Sequence, residues 1–587
     1  MTINDRSPLN LPPQRRNARP WLAWTLLALG LLCACGIGMF VLGSQLFESP
    51  LNDGGHTDSR PQTAALTVAV SPSMAPTFQQ LVADFNAQGL QTPDGQQMQV
   101  EVVVLEPQQM VEQSLGTPTF HALNPDSSLW INQLEQHWAA QTAQDEDEML
   151  IPIGARRVSA PVRYAVTPIV IAAWDSVARN LGWPQEPVGW QQIQNTATRD
   201  PNFKWNHPST NNASGMLATL AEFYAGAGLT RGLTPEAATA QSTLNYVRAV
   251  EATIRFYGEG EQVIVQRLAA EGRNFLDAFV AQEQVVIAWN QGSHSERLVA
   301  IYPAEGTLWA DHPLALLELG ANGETPLTAN QRRTYQALAS FLLAPGAQQQ
   351  LLLAGYRPAD LDIALDAPPS PFANTDAVDW REPQTTLQMP SAAVVEVVQN
   401  VWWYTKRPTN VMLVVDTSGS MEGDKMSLTQ QALVMFIEQM QGDRDQVGLV
   451  EFGGTVKQVQ ELRRLTQANR DELTNIIYGM RPQGNTALLD ATGTAYEYLI
   501  NYGDTEAINA IVVMTDGREN ASRLSQSDLQ RRFSESSDVQ VVVFTIGFGR
   551  DVDVSMLESV AETGNGQFRR ADETDIQELY KIISTYF

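Results

Sequence analysis

The sequence predicts an α/β protein in three parts: a transmembrane helix near the amino terminus, a long mixed α/β region, and a doubly wound parallel sheet at the carboxyl end. Three observations carry this reading. Residues Trp21–Gly43 contain no charged side chain. Two short continuous apolar runs, Asn410–Val415 and Ala510–Thr515, lead directly into Asp416 and Asp516, the form of strands buried on both faces. Between such runs lie stretches with helical periodicity, Lys425–Met440 among them, and alternating strands and helices imply a sheet covered on both sides.

A chain of 587 residues exceeds one hydrophobic core, so several domains are expected. The formal net charge is -27, which repels nucleic-acid phosphates at long range, and no basic patch interrupts the body of the chain. Nucleic acid is therefore not an expected partner. Cys33 and Cys35 are the two cysteines, and both sit in the apolar run. Disulfides, cysteine-based metal sites and thiol catalysis are thereby excluded from the rest of the chain. The six histidines show no zinc-ligand spacing.

Residues 1–20 form a basic tail, with Arg6, Arg15, Arg16 and Arg19 opposed only by Asp5. A helix over residues 21–43 is long enough, at about 1.5 Å per residue, to cross a hydrocarbon core of about 30 Å. The positive-inside rule keeps the tail cytoplasmic and places the bulk of the chain outside the cell membrane, on a single-pass anchor. A lipoprotein signal is the alternative, because Leu32-Cys33-Ala34-Cys35 resembles a lipobox with Cys35 as the acylated residue. Against it, the apolar run continues through Val41. Residues 44–65 are rich in Pro, Gly, Asp, Ser and Thr and are expected to form a flexible linker. A second linker, opened by the proline-rich stretch after Asp366, with a helix over Ala392–Tyr404, is expected across 366–408.

In the last part, 409–587, ligand sites are expected at the carboxyl ends of the strands, where Asp416 and Asp516 fall. Two carboxylates brought together repel, and a cation between them relieves the repulsion. Ser418 and Ser420 add hydroxyl oxygens on the same loop, and a hard divalent ion takes oxygen ligands alone. Asp416-Thr-Ser418-Gly-Ser420, then Thr486 in Gly484–Leu488, then Asp516 in Thr515-Asp516-Gly517, resembles the metal-ion-dependent adhesion site of the von Willebrand factor A (VWA) family. The resemblance implies a Rossmann-like fold and a bound Mg2+, or Mn2+ or Ca2+. It implies direct metal contacts from Ser418 and Ser420, and contacts direct or through water from Asp416, Thr486 and Asp516. It also implies an open coordination position for an acidic side chain of a protein partner, hence adhesion and not catalysis. Each residue taken alone reads first as a helix cap, and it is the set of five that points to a metal. Glu422 and Asp424 read as solvated loop charges.

The middle region, 66–365, opens with a strand at Leu66–Val70 that runs into Ser71-Pro-Ser73 and a helix from Ala75. Further strands are expected at Met98–Leu105, within Pro161–Trp174 and at Val285–Trp289, with polar turns at Asp126-Ser127-Ser128 and Ser209–Gly215. Small hydroxyl residues between a strand and a helix suit an anionic or polar ligand. This order, with Tyr302–Gly306 and Gly355–Pro358 near its end, is similar to the two-lobed bacterial extracellular, periplasmic-type solute-binding proteins. The resemblance implies a small solute held between two lobes. Ser73, Ser128, Asn212, Ser214 and Trp289 are the candidate cleft residues, and each would serve equally well as a turn or packing residue.

The expected function is an anchored binding protein combining metal-dependent protein recognition with solute binding. The alternative is the solute-binding component of an ABC-type importer with an accessory VWA domain. No phosphate-binding loop, H-E-x-x-H helix or G-x-S-x-G elbow is present, so no enzymatic activity is expected.

Overall fold

The structure, a computed structural model, describes residues 63–142 and 156–572 (less 256, 258, 259, 321–323, 374, 375, 441, 536, 538, 550 and 551), together with 576. No helix among them is long and apolar enough to cross a membrane. The expected anchor, Cys33 and Cys35 lie outside the described residues.

Three sheets organise the fold. In the first, strand Thr63–Val70 pairs in parallel with Gln97–Val104 on one side and Ala122–Asn124 on the other. Pro313–Leu316 runs antiparallel beyond Ala122–Asn124 and in turn pairs with Val162–Arg163. The second sheet is built on Ala165–Trp174, which pairs antiparallel with Ala278–Gln282, Leu298–Ile301 and Trp309–Ala310. The chain thus leaves the first sheet at Tyr164 and returns after Ala310, so two adjacent strand crossings join two lobes. Tyr164 is fully buried at the crossing, and its hydroxyl donates to Asn124 Oδ1 at 2.6 Å.

The third sheet has the order Val456–Arg464, Gln446–Phe452, Thr409–Asp416, Ile508–Thr515, Val541–Phe548, Phe568–Ala571. All neighbours are parallel except the edge hairpin. Every residue of Thr409–Asp416 is buried. Val411, Leu413 and Val415 enter one apolar cluster while Met412 and Val414 enter another on the opposite face, the two-residue alternation of a strand covered on both sides.

Three expectations are corrected. The apolar run Val285–Trp289 is not a strand but lies within helix Glu283–Gln291. Val286, Ile287 and Trp289 are its buried residues, and a short apolar run cannot distinguish a buried strand from the covered face of a helix. The first strand begins at Thr63, inside the expected linker 44–65, because Thr63–Ala65 pair in register with Gln97–Gln99. The proline-rich segment after 366 is no free linker. Phe372, Val378 and Leu387 are buried, Leu387 N donates to Thr307 O at 2.9 Å, and Ala300 N donates to Ala377 O at 2.7 Å. These bonds tie the segment to the second lobe.

Helix Ala392–Thr405 follows, capped by Ser391, with Val394, Val395, Val398 and Trp402 buried. It touches both lobes. Gln399 and Glu396 accept hydrogen bonds from Gln133 and Gln136 of the first, and Trp402 donates to Glu251 of the second.

Candidate functional site

Asp416 ends the central strand, and its neighbour Thr417 is fixed by bonds to Phe452 O and from Lys457 Nζ. The backbone then turns so that Ser418 N donates to Asp416 Oδ1 at 2.7 Å, while Thr515 Oγ1 donates to Asp416 Oδ2 at 2.5 Å. Ser418 Oγ and Ser420 Oγ are 3.0 Å apart, and Ser420 Oγ donates to Asp516 Oδ1 at 2.6 Å. The loop carrying Thr486 is drawn in by Gly419 N, which donates to Gly484 O at 3.0 Å. A Cβ on Gly517 would sit 3.1 Å from Thr486 Oγ1 and 3.4 Å from Ser420 Oγ, so the three loops meet there. Asp416, Ser418, Thr486 and Asp516 are buried and Ser420 is exposed, which gives the cluster one open side. Glu422 and Asp424 are exposed.

Burial pushes the Asp416 carboxyl above its ordinary range, and Asp516 adds to the rise, against the bonds from Thr515 and Ser418. Among the described residues Asp416 makes no ion pair, whereas Asp516 is met by Lys425 Nζ. The donor set is all oxygen: two carboxylates and three hydroxyls. It fits a hard divalent cation, whose charge would compensate the carboxylate that no basic side chain reaches.

The cleft candidates separate. Ser73, Asn212 and Ser214 line one narrow cavity between the lobes, together with Asp126, Glu261 and Gln282. Asn212 caps helix Ala213–Ala227 by accepting from Gly215 N at 3.0 Å. Gly215 is required there because a Cβ would lie 2.1 Å from Pro208 O. Ser214 donates to Glu261 Oε1. Ser128 is committed elsewhere: its N and Oγ both bond to Asp311, at 2.6 and 2.5 Å, with Arg163 Nη2 donating to Oγ. Trp289 is a packing residue and not, as the sequence suggests, part of the cleft. It stacks on His294 with ring centres 3.6 Å apart, meets Trp174 edge-on, and donates Nε1 to Glu296 O.

A third cluster was not foreseen. His207, Glu222 and Glu251 bring ligand-type atoms within 4.8 Å of one another, fully buried in the second lobe. Burial, then repulsion by Glu251, drives the Glu222 carboxyl well up. Burial also acts to raise Glu251, but His207, Tyr257 and Trp402 outweigh it and hold Glu251 below the ordinary range. The signal was a lone carboxylate in Ala213–Tyr224, a helical run in which every residue is buried.

Comparison with known proteins divides the chain in the same way. Residues 410–582 match the family model of the von Willebrand factor type A domain, and residues 66–357 match that of the bacterial extracellular solute-binding protein. The inter-alpha-trypsin inhibitor heavy chain H4 of Sus scrofa is 33% identical over 171 residues, 28% of this chain and 18% of that protein. Its Mus musculus counterpart is 32% identical over 170 residues, again 28% and 18%. The chain thus spans less than a fifth of the length of these curated relatives. Among solved structures, the sulfate-binding protein SubI from Mycobacterium tuberculosis H37Rv has 15% identity and a TM-score of 0.37, covering 57% of this chain and 97% of its own. A von Willebrand factor type A protein from Catenulispora acidiphila has 19% identity and a TM-score of 0.27, covering 30% and 42%. The chain joins a domain of the bacterial extracellular solute-binding type to a von Willebrand factor type A domain.

Proposed function

We propose that this chain is a binding protein, held at a membrane by residues 21–43, that recognises a protein partner through a divalent cation and a small solute through its two-lobed domain. The cation, Mg2+ or the similar Mn2+ or Ca2+, would be held by Asp416, Ser418, Ser420, Thr486 and Asp516. Bound there, it supplies a Lewis-acidic position for a carboxylate of the partner. The chain's own contribution is geometric: the sheet fixes Asp416 and Asp516 on adjacent strand ends, and the turn after Ser418 leaves Ser420 at the solvent side.

The supporting observation is the convergence of these residues from three loops around two buried carboxylates of which, among the described residues, only Asp516 has a basic partner. Calorimetry with Mg2+ and Mn2+ tests it. Uptake of one ion per chain, lost in Asp416→Ala, is expected. Absence of uptake, or unchanged partner capture by the Asp416→Ala variant, rejects it.

The match to binding-domain families along both halves favours recognition over chemistry. Attachment to the membrane is tested separately: fractionation should place the intact chain with membranes, and deletion of 21–43 should release it.

A further inference from the structure

We propose that the cleft between the lobes takes a small organic cation, a protonated amine, and not an oxyanion. This rests on reading the middle domain as a solute binder and names the class of solute.

The cavity is lined from the first lobe by Ser73, Glu106 and Asp126 and from the second by Ser214, Glu261 and Gln282; among the described residues no Lys, Arg or His lines it. Asp126 and Glu261 are 4% and 3% exposed, so each carboxyl is nearly cut off from water. Glu261 uses one oxygen to accept from Ser214 and from Gln282 N. Its other oxygen, Oε2, has no hydrogen-bond partner, and neither has Asp126 Oδ1 across the cleft. Gln282 Nε2, on the same wall as Glu261, is likewise buried without a partner. A buried polar atom without a partner costs about 1–3 kcal/mol, more if charged, and all three belong to residues lining this one cavity, which favours a ligand that completes them.

The open atoms define that ligand. Two carboxylate oxygens require donors and favour positive charge, and one amide N–H₂ offers itself to an acceptor. An ammonium group with a hydroxyl or carbonyl nearby meets all three. An oxyanion would face three carboxyl groups with no Lys, Arg or His among the described lining residues to offset them. A bare metal ion suits the geometry poorly. Among the described residues, three His, Asp or Glu ligand atoms gather within 4.8 Å only at His207, Glu222 and Glu251, not in this cleft. The open oxygens belong to opposite lobes, so the ligand needs N–H bonds pointing two ways. Burial, followed by repulsion from Glu261 and Glu106, drives Asp126 well up, and burial pushes Glu261 up to about 7; a cation held between them would lower both.

The test is calorimetry on the full-length chain in detergent, titrated with ethanolamine, putrescine, sulfate, molybdate and Ca2+. Saturable binding of an amine is expected, with affinity reduced at least tenfold in both Asp126→Asn and Glu261→Gln, whose thermal melts should match the parent. Two variants on opposite lobes guard against one that fails to fold. Sulfate or molybdate binding lost in the same variants would overturn the amine assignment while leaving the solute-binding reading standing, and so would Ca2+ binding lost in them. No binding of any of these probes, with no small molecule retained on the purified chain by mass spectrometry, would overturn both.

Discussion

Lys425 Nζ lies 2.5 Å from Asp516 Oδ2, on the carboxylate whose other oxygen accepts from Ser420. One of the two clustered aspartates therefore carries a counter-charge from within the chain. A divalent cation at Asp516 must share that carboxylate with the ammonium. Lys425→Met is expected to tighten Mg2+ binding by about tenfold, equivalent to about 1.4 kcal/mol. It should also lower the melting temperature measured with chelator present. Isothermal titration and thermal melts read both, and unchanged affinity would mean that the ammonium and the metal do not compete.

Where the two domains meet, Lys406 Nζ and Asp445 Oδ1 form an ion pair at 2.9 Å, with side chains 1% and 2% exposed. Asp445 Oδ1 also accepts from Thr409 N, the first residue of the central strand. Lys406→Met leaves that carboxylate buried without its cation, and a loss of about 3–5 kcal/mol is expected in urea unfolding. A loss under about 1 kcal/mol would show that water reaches Asp445.

Glu222 sets a pH dependence. Its native carboxyl titrates above the ordinary range because burial and Glu251 disfavour the charge. A raised native value means that the unfolded chain releases this proton first. The contribution to stability is then complete below the ordinary carboxyl range and is lost as pH rises through the native value. Glu222→Gln keeps the shape without the proton. It is expected to lose less stability than the parent between pH 5 and pH 9, and parallel melting curves would remove Glu222 as the cause.

Gly215 has no room for a side chain: a Cβ would approach Pro208 O to 2.1 Å and Ser209 O to 2.2 Å. Gly215→Ala must push the start of the helix away from the loop that orients Asn212 and Ser214. A cost of about 1–3 kcal/mol is expected by denaturant titration, with weaker solute binding by the folded fraction.

The sequence revealed the parts whose signal is local. Asp416, Ser418 and Ser420 lie within five positions, and the apolar runs before Asp416 and Asp516 mark the strands that present them. The structure brings Thr486 to the same place through the bond from Gly419 to Gly484. Trp289 was misplaced because Val285–Trp289 reads identically as a buried strand or as one helical face. Asp126 and Glu261 lie 135 positions apart in sequence, and only the closure of two lobes makes them neighbours of one cavity. Ser128, two residues beyond Asp126, turns instead to Asp311 at the strand crossing. Nothing in local spacing distinguishes these fates.

Arg407 ties the second lobe to the start of the third sheet. Its guanidinium donates to Ile254 O in the second lobe at 2.7 Å and to Glu506 O and Ala507 O, just before strand Ile508–Thr515, at 3.0 and 3.1 Å. The helix before it is braced against both lobes. The clustered aspartates sit at the far end of strands that start at this joint, about 26 Å away for an eight-residue strand. A tilt of about 10° at the joint therefore sweeps the aspartate loops sideways by about 4–5 Å, on the same strand rise of about 3.3 Å per residue. A change of angle between the second lobe and this joint would therefore re-aim the aspartate loops.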